Sequence, residues 1–404
     1  MNRRRFLIDV CTAAAGISLG GLLLDGRAGS GLKAVSPERA QPEGPAGRHT
    51  YDRAAAEANL RALEAAGFSP RDAMYWSRTA NGLIRCELCP RFCTLKPFER
   101  GLCRARISLE NRLGTLVYGR PCSAAIDPIE KKPVFHFLPG STAFSIATAG
   151  CLFGCRYCQN WQISQIGPEE CEFYDLPPGR VVAEALANKC RSIAYTYTEP
   201  TIFYEYMLDT SKAARAAGLA NIMISCGYIN PEPLRELLPW LDVMKVDLKG
   251  FTERFYRSVC GGTLAPVLST IERLAGSKTL VDIVTLVVPT LNDDPVTCSA
   301  MFRWLVEHAG PDISLFLSRF MPTYRLRSLP PTPPDTLERL RELAMQAGLR
   351  YVYLGNIPGH EGESTFCPGC KKRVVERFGY SIGEMHIRNG ACAFCGTAIP
   401  GRWE

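Results

Sequence analysis

The 404-residue sequence lacks long hydrophobic runs and has no long stripe of basic residues. Its apolar stretch at residues 10–24 is shorter than the roughly 20 residues that a membrane-spanning helix needs. The 47 Lys and Arg residues are scattered, so the basic stripe typical of a nucleic-acid groove is missing. A hydrophobic content of 46% excludes a disordered chain. What remains is a globular protein with one large domain and appended modules.

Cysteine is abundant by comparison, with 18 residues. Random placement predicts about 0.8 pairs of the form C-x-x-C. The sequence has four such pairs: Cys86/Cys89, Cys155/Cys158, Cys367/Cys370 and Cys392/Cys395. Two thiolates three positions apart can bind one ion or cluster, whereas disulfides need no such spacing. The excess therefore predicts metal binding, and the other seven cysteines (Cys11, Cys122, Cys171, Cys190, Cys226, Cys260 and Cys298) lack metal spacing.

The N-terminus has the features of a targeting segment. Residues 3–7 read Arg-Arg-Arg-Phe-Leu, the twin-arginine pattern, and the apolar stretch follows. Residues 1–30 are therefore predicted to be a twin-arginine signal, and residues 31–80 a linker with an amphipathic helix at 51–66. We expect export by this pathway or tethering at the cytoplasmic membrane, with a cytoplasmic protein as the alternative. Membrane contact is expected only through this segment.

From residue 142 to residue 356, apolar strand patterns alternate with helical patterns. Seven strands are predicted, at 143–147, 192–197, 221–225, 243–246, 280–288, 313–316 and 351–354. Six helices fall between them, at 180–190, 202–217, 231–238, 265–275, 295–308 and 334–347. Such an α/β repeat predicts a partial (βα)6 barrel of the TIM type over residues 136–358, with active groups at the carboxyl ends of its strands. Two earlier strands are predicted at 113–118 and 134–137.

A cysteine-rich loop follows the first strand of this repeat. It reads Gly-Cys-Leu-Phe-Gly-Cys-Arg-Tyr-Cys and contains Cys151, Cys155, Tyr157 and Cys158. Three thiolates can bind three irons of a [4Fe–4S] cluster and leave the fourth iron open for a substrate. The alternative is a zinc knuckle with a fourth ligand elsewhere.

This loop resembles that of the radical S-adenosylmethionine (SAM) superfamily. The resemblance implies that SAM binds the open iron and that Tyr157 lies against its adenine. At residues 195–200, Tyr197, Thr198 and Glu199 stand where the family usually has Gly-Gly-Glu for the SAM ammonium group, so Glu199 is available as the anion and the two glycines are replaced. Asp247 and Lys249 resemble the Asp-x-Lys of pyruvate formate-lyase activating enzymes, which lies beside SAM. Where those enzymes carry a histidine near SAM, this sequence has Met321.

Two further four-cysteine sites flank the barrel. The C-terminal module, residues 359–404, resembles a zinc ribbon and is predicted to bind zinc through Cys367, Cys370, Cys392 and Cys395. A second Fe–S cluster is the alternative there. The N-terminal module, residues 81–135, is predicted to bind zinc or an auxiliary Fe–S cluster through Cys86, Cys89, Cys93 and Cys103.

The order of these sites along the chain resembles the AmmeMemoRadiSam radical SAM enzymes. The resemblance implies an enzyme that reductively cleaves SAM to a 5′-deoxyadenosyl radical, which takes hydrogen from an unknown substrate. Its expected partners are a flavodoxin- or ferredoxin-type one-electron donor and Amme-like and Memo-like proteins, without nucleic acid. The alternatives are a glycyl-radical enzyme activase and a non-catalytic metal-binding interaction protein on the same fold.

Overall fold

The computed structural model describes residues 51–404. The predicted signal at residues 1–30 and the linker up to residue 50 lie outside the described residues. Within residues 51–404, no helix is both long enough and apolar enough to cross a membrane. The first helix, Arg53–Ala65, begins where the Asp52 side chain accepts hydrogen bonds from two backbone N–H groups. It buries Leu60 and Leu63 against the N-terminal module.

The N-terminal module consists of two small antiparallel sheets. Its strands are β1 (Arg71–Asp72), β2 (Trp76–Arg78), β3 (Ile84–Cys86), β4 (Thr94–Leu95), β5 (Arg106–Leu109) and β6 (Arg112–Thr115). They pair in the orders β1-β6-β5 and β2-β3-β4. The strand predicted at 113–118 is thus present but shorter. The module contains Cys86, Cys89, Cys93 and Cys103.

One eight-stranded sheet forms the centre of the protein. Its strands are β7 (Ser123–Pro128), β8 (Thr142–Ala147), β9 (Ser192–Tyr195), β10 (Ala220–Ser225), β11 (Val243–Asp247), β12 (Leu280–Val287), β13 (Ser314–Arg319) and β14 (Tyr351–Gly355). They lie in sequential order, with β8–β14 parallel and β7 antiparallel to β8. The seven predicted strands are all present. The α/β prediction is therefore confirmed, and β7 adds an edge strand that the sequence analysis missed.

Helices cover the outer face of the sheet. The six predicted ones are present as Pro178–Ala187, Tyr204–Ala216, Pro231–Leu237, Ala265–Ala275, Pro295–Ala309 and Pro334–Gln346. Most have proline in their first turn, where its missing N–H costs no hydrogen bond. Shorter helical turns are Ile129–Lys131, Trp161–Ser164, Pro168–Glu170, Pro200–Phe203, Leu238–Trp240, Glu253–Phe255, Tyr256–Cys260 and Glu361–Glu363.

The prediction of a strand at residues 134–137 is wrong. The segment is a turn, and only Phe137 makes an isolated β-bridge, with Arg402. Its apolar residues are buried because they fill the inner face of the sheet. Val134 and Phe137 pack with Ala194 and Val243, whereas Phe135 packs on other strands. Residues 134–137 are therefore apolar because they pack against two different clusters. In the sequence, such a run has the same pattern as a buried strand.

The C-terminal module shares a hydrophobic cluster with the central sheet. Its strands are β15 (Thr365–Phe366), β16 (Arg373–Phe378), β17 (Ser381–Met385), β18 (Ile387–Arg388) and β19 (Ala391–Cys392). Phe316 and Tyr353 of the sheet belong to the same cluster as Val374 and Trp403. His136 joins the two parts, because its Nδ1 lies 2.7 Å from the Pro400 carbonyl and its Nε2 2.6 Å from the Tyr353 hydroxyl.

We predict that His136 makes this contact sensitive to acid. Burial, with a contribution from nearby Arg377, lowers the pKa of His136 to about 3. The folded imidazole stays neutral while an unfolded one takes up a proton near pH 6.5. Stability is therefore lost as pH falls from 6.5 towards 3, by about 2 kcal/mol between pH 7.5 and pH 5.

Urea unfolding of the wild type and of His136→Gln at these two pH values measures this contribution. The wild type should lose more stability on acidification than the variant by that amount. His308→Gln, which removes a partly exposed imidazole, is the matched control and should behave as the wild type. Equal pH dependence in the wild type and His136→Gln would contradict the prediction.

Candidate functional site

A cavity of about 730 Å³ lies at the carboxyl ends of the parallel strands. Successive strands contribute to its wall through Thr196, Ile224, Asp247, Leu286 and Ser318. In sheets of this class the carboxyl ends of parallel strands share one edge, where loops can be placed with little constraint on the fold. The cavity is thus formed by one edge of the central sheet.

All eight residues predicted for the SAM site line this cavity: Cys151, Cys155, Tyr157, Cys158, Thr198, Glu199, Asp247 and Lys249. They come from three separate parts of the sequence, the loop after β8, the segment after β9 and the end of β11. Met321, by contrast, is about half exposed. It is not among the residues that line the cavity.

The loop after β8 is held closely against its neighbours. Gly150 has a φ of +99°, and a Cβ atom there would lie 2.3 Å from the Cys103 carbonyl oxygen. Only glycine permits both the backbone conformation and this approach. Further on, the Gly154 N–H donates to the Cys260 carbonyl at 3.0 Å, and Cys158 Sγ lies 3.2 Å from Ser164 Oγ. The three cysteines are therefore positioned by the surrounding chain.

The thiols of this loop are poorly solvated. Burial raises the pKa of Cys151 and of Cys158, although Ser164 partly offsets the effect at Cys158. A buried thiol ionises readily when a metal cation binds it. The sulfurs of Cys151, Cys155 and Cys158 do not all lie within 4.8 Å of one another. Separate thiolates of this kind suit a cluster, in which each sulfur binds a different iron.

Glu199 is buried and its carboxylate accepts four hydrogen bonds. Oε1 accepts from the Thr201 N–H, the Thr201 hydroxyl and the Ser225 hydroxyl at 3.1, 2.7 and 2.7 Å. Oε2 accepts from the Cys226 N–H at 2.8 Å. Because each carboxylate oxygen has two lone pairs, Oε2 keeps capacity for one further donor. Beside it, Thr198 donates to the Thr148 carbonyl at 2.9 Å.

Asp247 lies between two lysines. Lys249 Nζ is 3.3 Å from Asp247 Oδ2, and Lys245 contacts the other oxygen. Burial alone would raise the pKa of Asp247, but the two lysines lower it below its usual value. Burial alone would likewise lower the pKa of Lys249, but Asp247 and nearby thiols raise it well above its usual value. The end of β11 thus contributes one carboxylate and two ammonium groups to the cavity wall.

Several cavity residues could not be assigned from the sequence. Lys245 is a single charge within an apolar strand, and that pattern was the only signal for it. Cys226 lines the cavity, and Cys260 Sγ lies 3.7 Å from the Tyr157 hydroxyl. The lining also contains charged and aromatic residues from the segment after β7 and from the C-terminal module, namely Glu130, Lys131, Lys132, Glu363 and Tyr380.

The two flanking four-cysteine sites differ in geometry. In the C-terminal site, Cys367 and Cys395 sulfurs are 3.6 Å apart, and Cys370 and Cys392 sulfurs are 3.7 Å apart. Among residues 51–404 it is the one group of at least three candidate ligands whose ligand atoms all lie within 4.8 Å. In the N-terminal site, the four cysteines instead line a pocket of about 20 Å³.

Sequence comparison places the protein in a class of enzymes. Residues 145–297 match the radical SAM superfamily, so the chain contains a radical SAM domain. This domain supports an enzyme that uses SAM-dependent radical chemistry with a [4Fe–4S] cluster. The chain is 43% identical over 331 residues to an uncharacterised protein of Methanocaldococcus jannaschii, covering 81% of this chain and 98% of that protein. The superfamily predicted from the sequence is confirmed.

Solved structures with similar folds share little sequence with this chain. A domain of a pyruvate formate-lyase activating enzyme from Bacteroides vulgatus is 14% identical, with a TM-score of 0.37, and the match covers 41% of this chain and 99% of that one. Streptococcus suis SuiB bound to S-adenosylmethionine is 11% identical, with a TM-score of 0.43, and the match covers 56% and 53%. TM-scores below 0.5 do not extend the likeness beyond the superfamily.

Proposed function

We propose that the protein reductively cleaves SAM in the cavity at the strand ends. The observation that carries this proposal is that all eight predicted site residues line one cavity. A [4Fe–4S] cluster, when bound, supplies the electron that breaks a C–S bond of SAM, yielding methionine and a 5′-deoxyadenosyl radical for hydrogen abstraction. Cys151, Cys155 and Cys158 would bind this cluster, since three ligands leave one iron open.

The charged residues of the cavity suit the polar groups of SAM. Glu199 Oε2 can accept a hydrogen bond from the amino group, and Lys249 can pair with the carboxylate while Asp247 holds it in place. Tyr157 provides a buried ring next to the cysteines, suited to contact with adenine. Thr198, bonded to Thr148, would position the backbone of the same segment. These residues orient SAM and exclude water from it.

A substrate would bind in the part of the cavity that SAM does not occupy. A volume of about 730 Å³ is within the range of small-molecule sites. Lys131, Lys132, Glu130 and Tyr380 also line the cavity, so a substrate there would contact charged side chains and one aromatic ring. We propose that these residues determine which substrate the enzyme accepts.

We also propose the finer architecture that the sequence suggested. A partial (βα)6 barrel is supported by the cavity, which is lined from strands β9 to β14, and by the apolar residues that fill the inner face. A structural zinc ion in the C-terminal module is supported by the sulfur spacing. Four sulfurs 2.3 Å from one zinc ion are about 3.8 Å apart, close to the distances between the paired sulfurs there.

The sequence order of the three cysteine sites supports placing the protein among AmmeMemoRadiSam radical SAM enzymes. A flavodoxin- or ferredoxin-type donor would then supply the electron, and Amme-like and Memo-like proteins would be its partners.

The test is a SAM cleavage assay on anaerobically reconstituted protein. With SAM and dithionite, we expect 5′-deoxyadenosine and methionine in equal amounts, and neither product without reductant. Cys298→Ala, which removes a buried thiol outside the cavity lining, is the control variant and should retain activity. A protein that contains its full complement of iron, binds SAM and yields no deoxyadenosine would contradict the proposal.

A further inference from the structure

The N-terminal cysteines surround a pocket of their own. Cys86, at the end of β3, and Cys89, Cys93 and Cys103 line this pocket of about 20 Å³. Its other walls are largely apolar and include Leu88, Leu152 and Ile202. A Cβ atom on Gly101 would lie 3.7 Å from the sulfurs of both Cys93 and Cys103. The four sulfurs therefore converge on one enclosed space.

The spacing of these sulfurs differs from that of a single-ion site. A zinc ion bound by four thiolates requires sulfurs about 3.8 Å apart, as in the C-terminal module. In the N-terminal site, no three of the four sulfurs all lie within 4.8 Å of one another. A four-iron cluster holds its thiolates further apart, because each sulfur binds a different corner of the cluster. The sulfur spacing therefore favours a cluster over zinc.

A buried cation lies beside these sulfurs. Arg106 Nη1 donates to Cys86 Sγ at 3.3 Å, and Arg106 is 1% exposed. Its other terminal nitrogen pairs with buried Glu205 and donates to the Met74 carbonyl at 2.9 Å. Hydrogen bonds to cluster sulfurs are one of the ways in which proteins set the potential of a cluster. Arg106 is fixed in position for such a contact.

The N-terminal site adjoins the loop after β8. The Cys103 carbonyl packs against Gly150, which directly precedes Cys151. Because neighbouring Cα atoms are about 3.8 Å apart, the Cα atoms of Cys103 and Cys151 lie within about 10 Å of each other. Arg91 ties the two loops together, since its Nη2 donates to the Leu152 carbonyl at 2.7 Å. Leu152, from the loop that contains Cys151, thus lines the N-terminal pocket.

We infer that Cys86, Cys89, Cys93 and Cys103 bind a second [4Fe–4S] cluster, placed beside the loop that contains Cys151. All four irons of this cluster have a cysteine ligand, so it has no open position for a substrate. The site is a second redox centre next to the SAM cavity. The inference rests on the N-terminal cysteines alone and does not depend on SAM cleavage.

The test uses the full chain with Cys151, Cys155 and Cys158 all replaced by alanine, which leaves the N-terminal site untouched. After anaerobic reconstitution, we expect about four irons and four sulfides per chain. After dithionite reduction, we expect the electron paramagnetic resonance signal of a reduced [4Fe–4S] cluster that does not change when SAM is added. Two results would overturn the inference. One is a protein that contains almost no iron and binds a second zinc ion, and the other is a protein with about two irons and two sulfides per chain.

The complementary variant is Cys86→Ala/Cys103→Ala in the otherwise wild-type chain. Iron should fall from about eight to about four per chain, while the remaining signal still changes on SAM addition. Cys122→Ala/Cys171→Ala is the matched control and should keep about eight irons. If the Cys86→Ala/Cys103→Ala protein keeps all its iron and loses zinc, the site binds zinc and the inference is wrong.

Discussion

Replacement of Cys151, Cys155 and Cys158 by alanine should lower 5′-deoxyadenosine formation to the level of a buffer control. Alanine removes the sulfur without offering an oxygen ligand, so the cavity loses its site for the cluster. The side chains that would contact SAM stay in place, since Glu199 and Asp247 are held by bonds to other residues. SAM should therefore still bind the variant, although more weakly, without being cleaved.

Liquid chromatography of the anaerobic reaction measures this loss, and equilibrium binding measures SAM affinity. The matched control replaces Cys122, Cys190 and Cys298, three cysteines outside the cavity lining, and should form deoxyadenosine at the wild-type rate. Continued cleavage by the first variant would show that these cysteines are not the cluster ligands.

Cys367→Ala/Cys392→Ala should detach the C-terminal module from the central sheet. Cys367 is 0% exposed and Cys392 2% exposed, and both lie in the hydrophobic cluster that joins the module to the sheet. Structural zinc sites contribute about 10–16 kcal/mol to the folding of small metal-binding peptides. The shared cluster makes the module less dependent on metal than such a peptide, so part of this stabilisation should be lost.

Limited proteolysis and zinc analysis measure this effect. We expect one zinc ion per chain in the wild type and none in the variant, with rapid cleavage within residues 359–404. Cys190→Ala, which removes one buried thiol near the central sheet, should remain resistant to protease and keep its zinc. A variant that loses zinc and remains protease-resistant would show that the shared cluster alone holds the module.

The helices and parallel strands could be predicted because their signals are local. The helix Ala265–Ala275 has the predicted bounds, and proline marks the first turn of most of the others. The strand Ser123–Pro128 was missed because it is an edge strand with two alanines and a terminal proline, so it lacks a continuous apolar run. Val134 and Phe135 were misassigned because burial depends on the surrounding chain as well as on local pattern.

The candidate site was predictable where its residues form short motifs. The cysteines of the loop after β8 lie within eight positions of one another in the sequence, and Asp247 and Lys249 are two positions apart. The hydrogen bonds of Ser225 and Cys226 to Glu199 join different strand ends, and no spacing in the sequence indicates them. The wall with Lys132 and Tyr380 combines residues almost 250 positions apart, which only the tertiary fold brings together.

The contact between Phe137 and Arg402 has a consequence for how the protein is made. This bridge, with the nearby bond from His136 to the Pro400 carbonyl, joins residues more than 260 positions apart. Residues 400–402 thus complete packing that begins with the segment before β8. Contacts of such long sequence separation form late in folding. The interior can therefore close only after residues 400–402 have been synthesised and have left the ribosome.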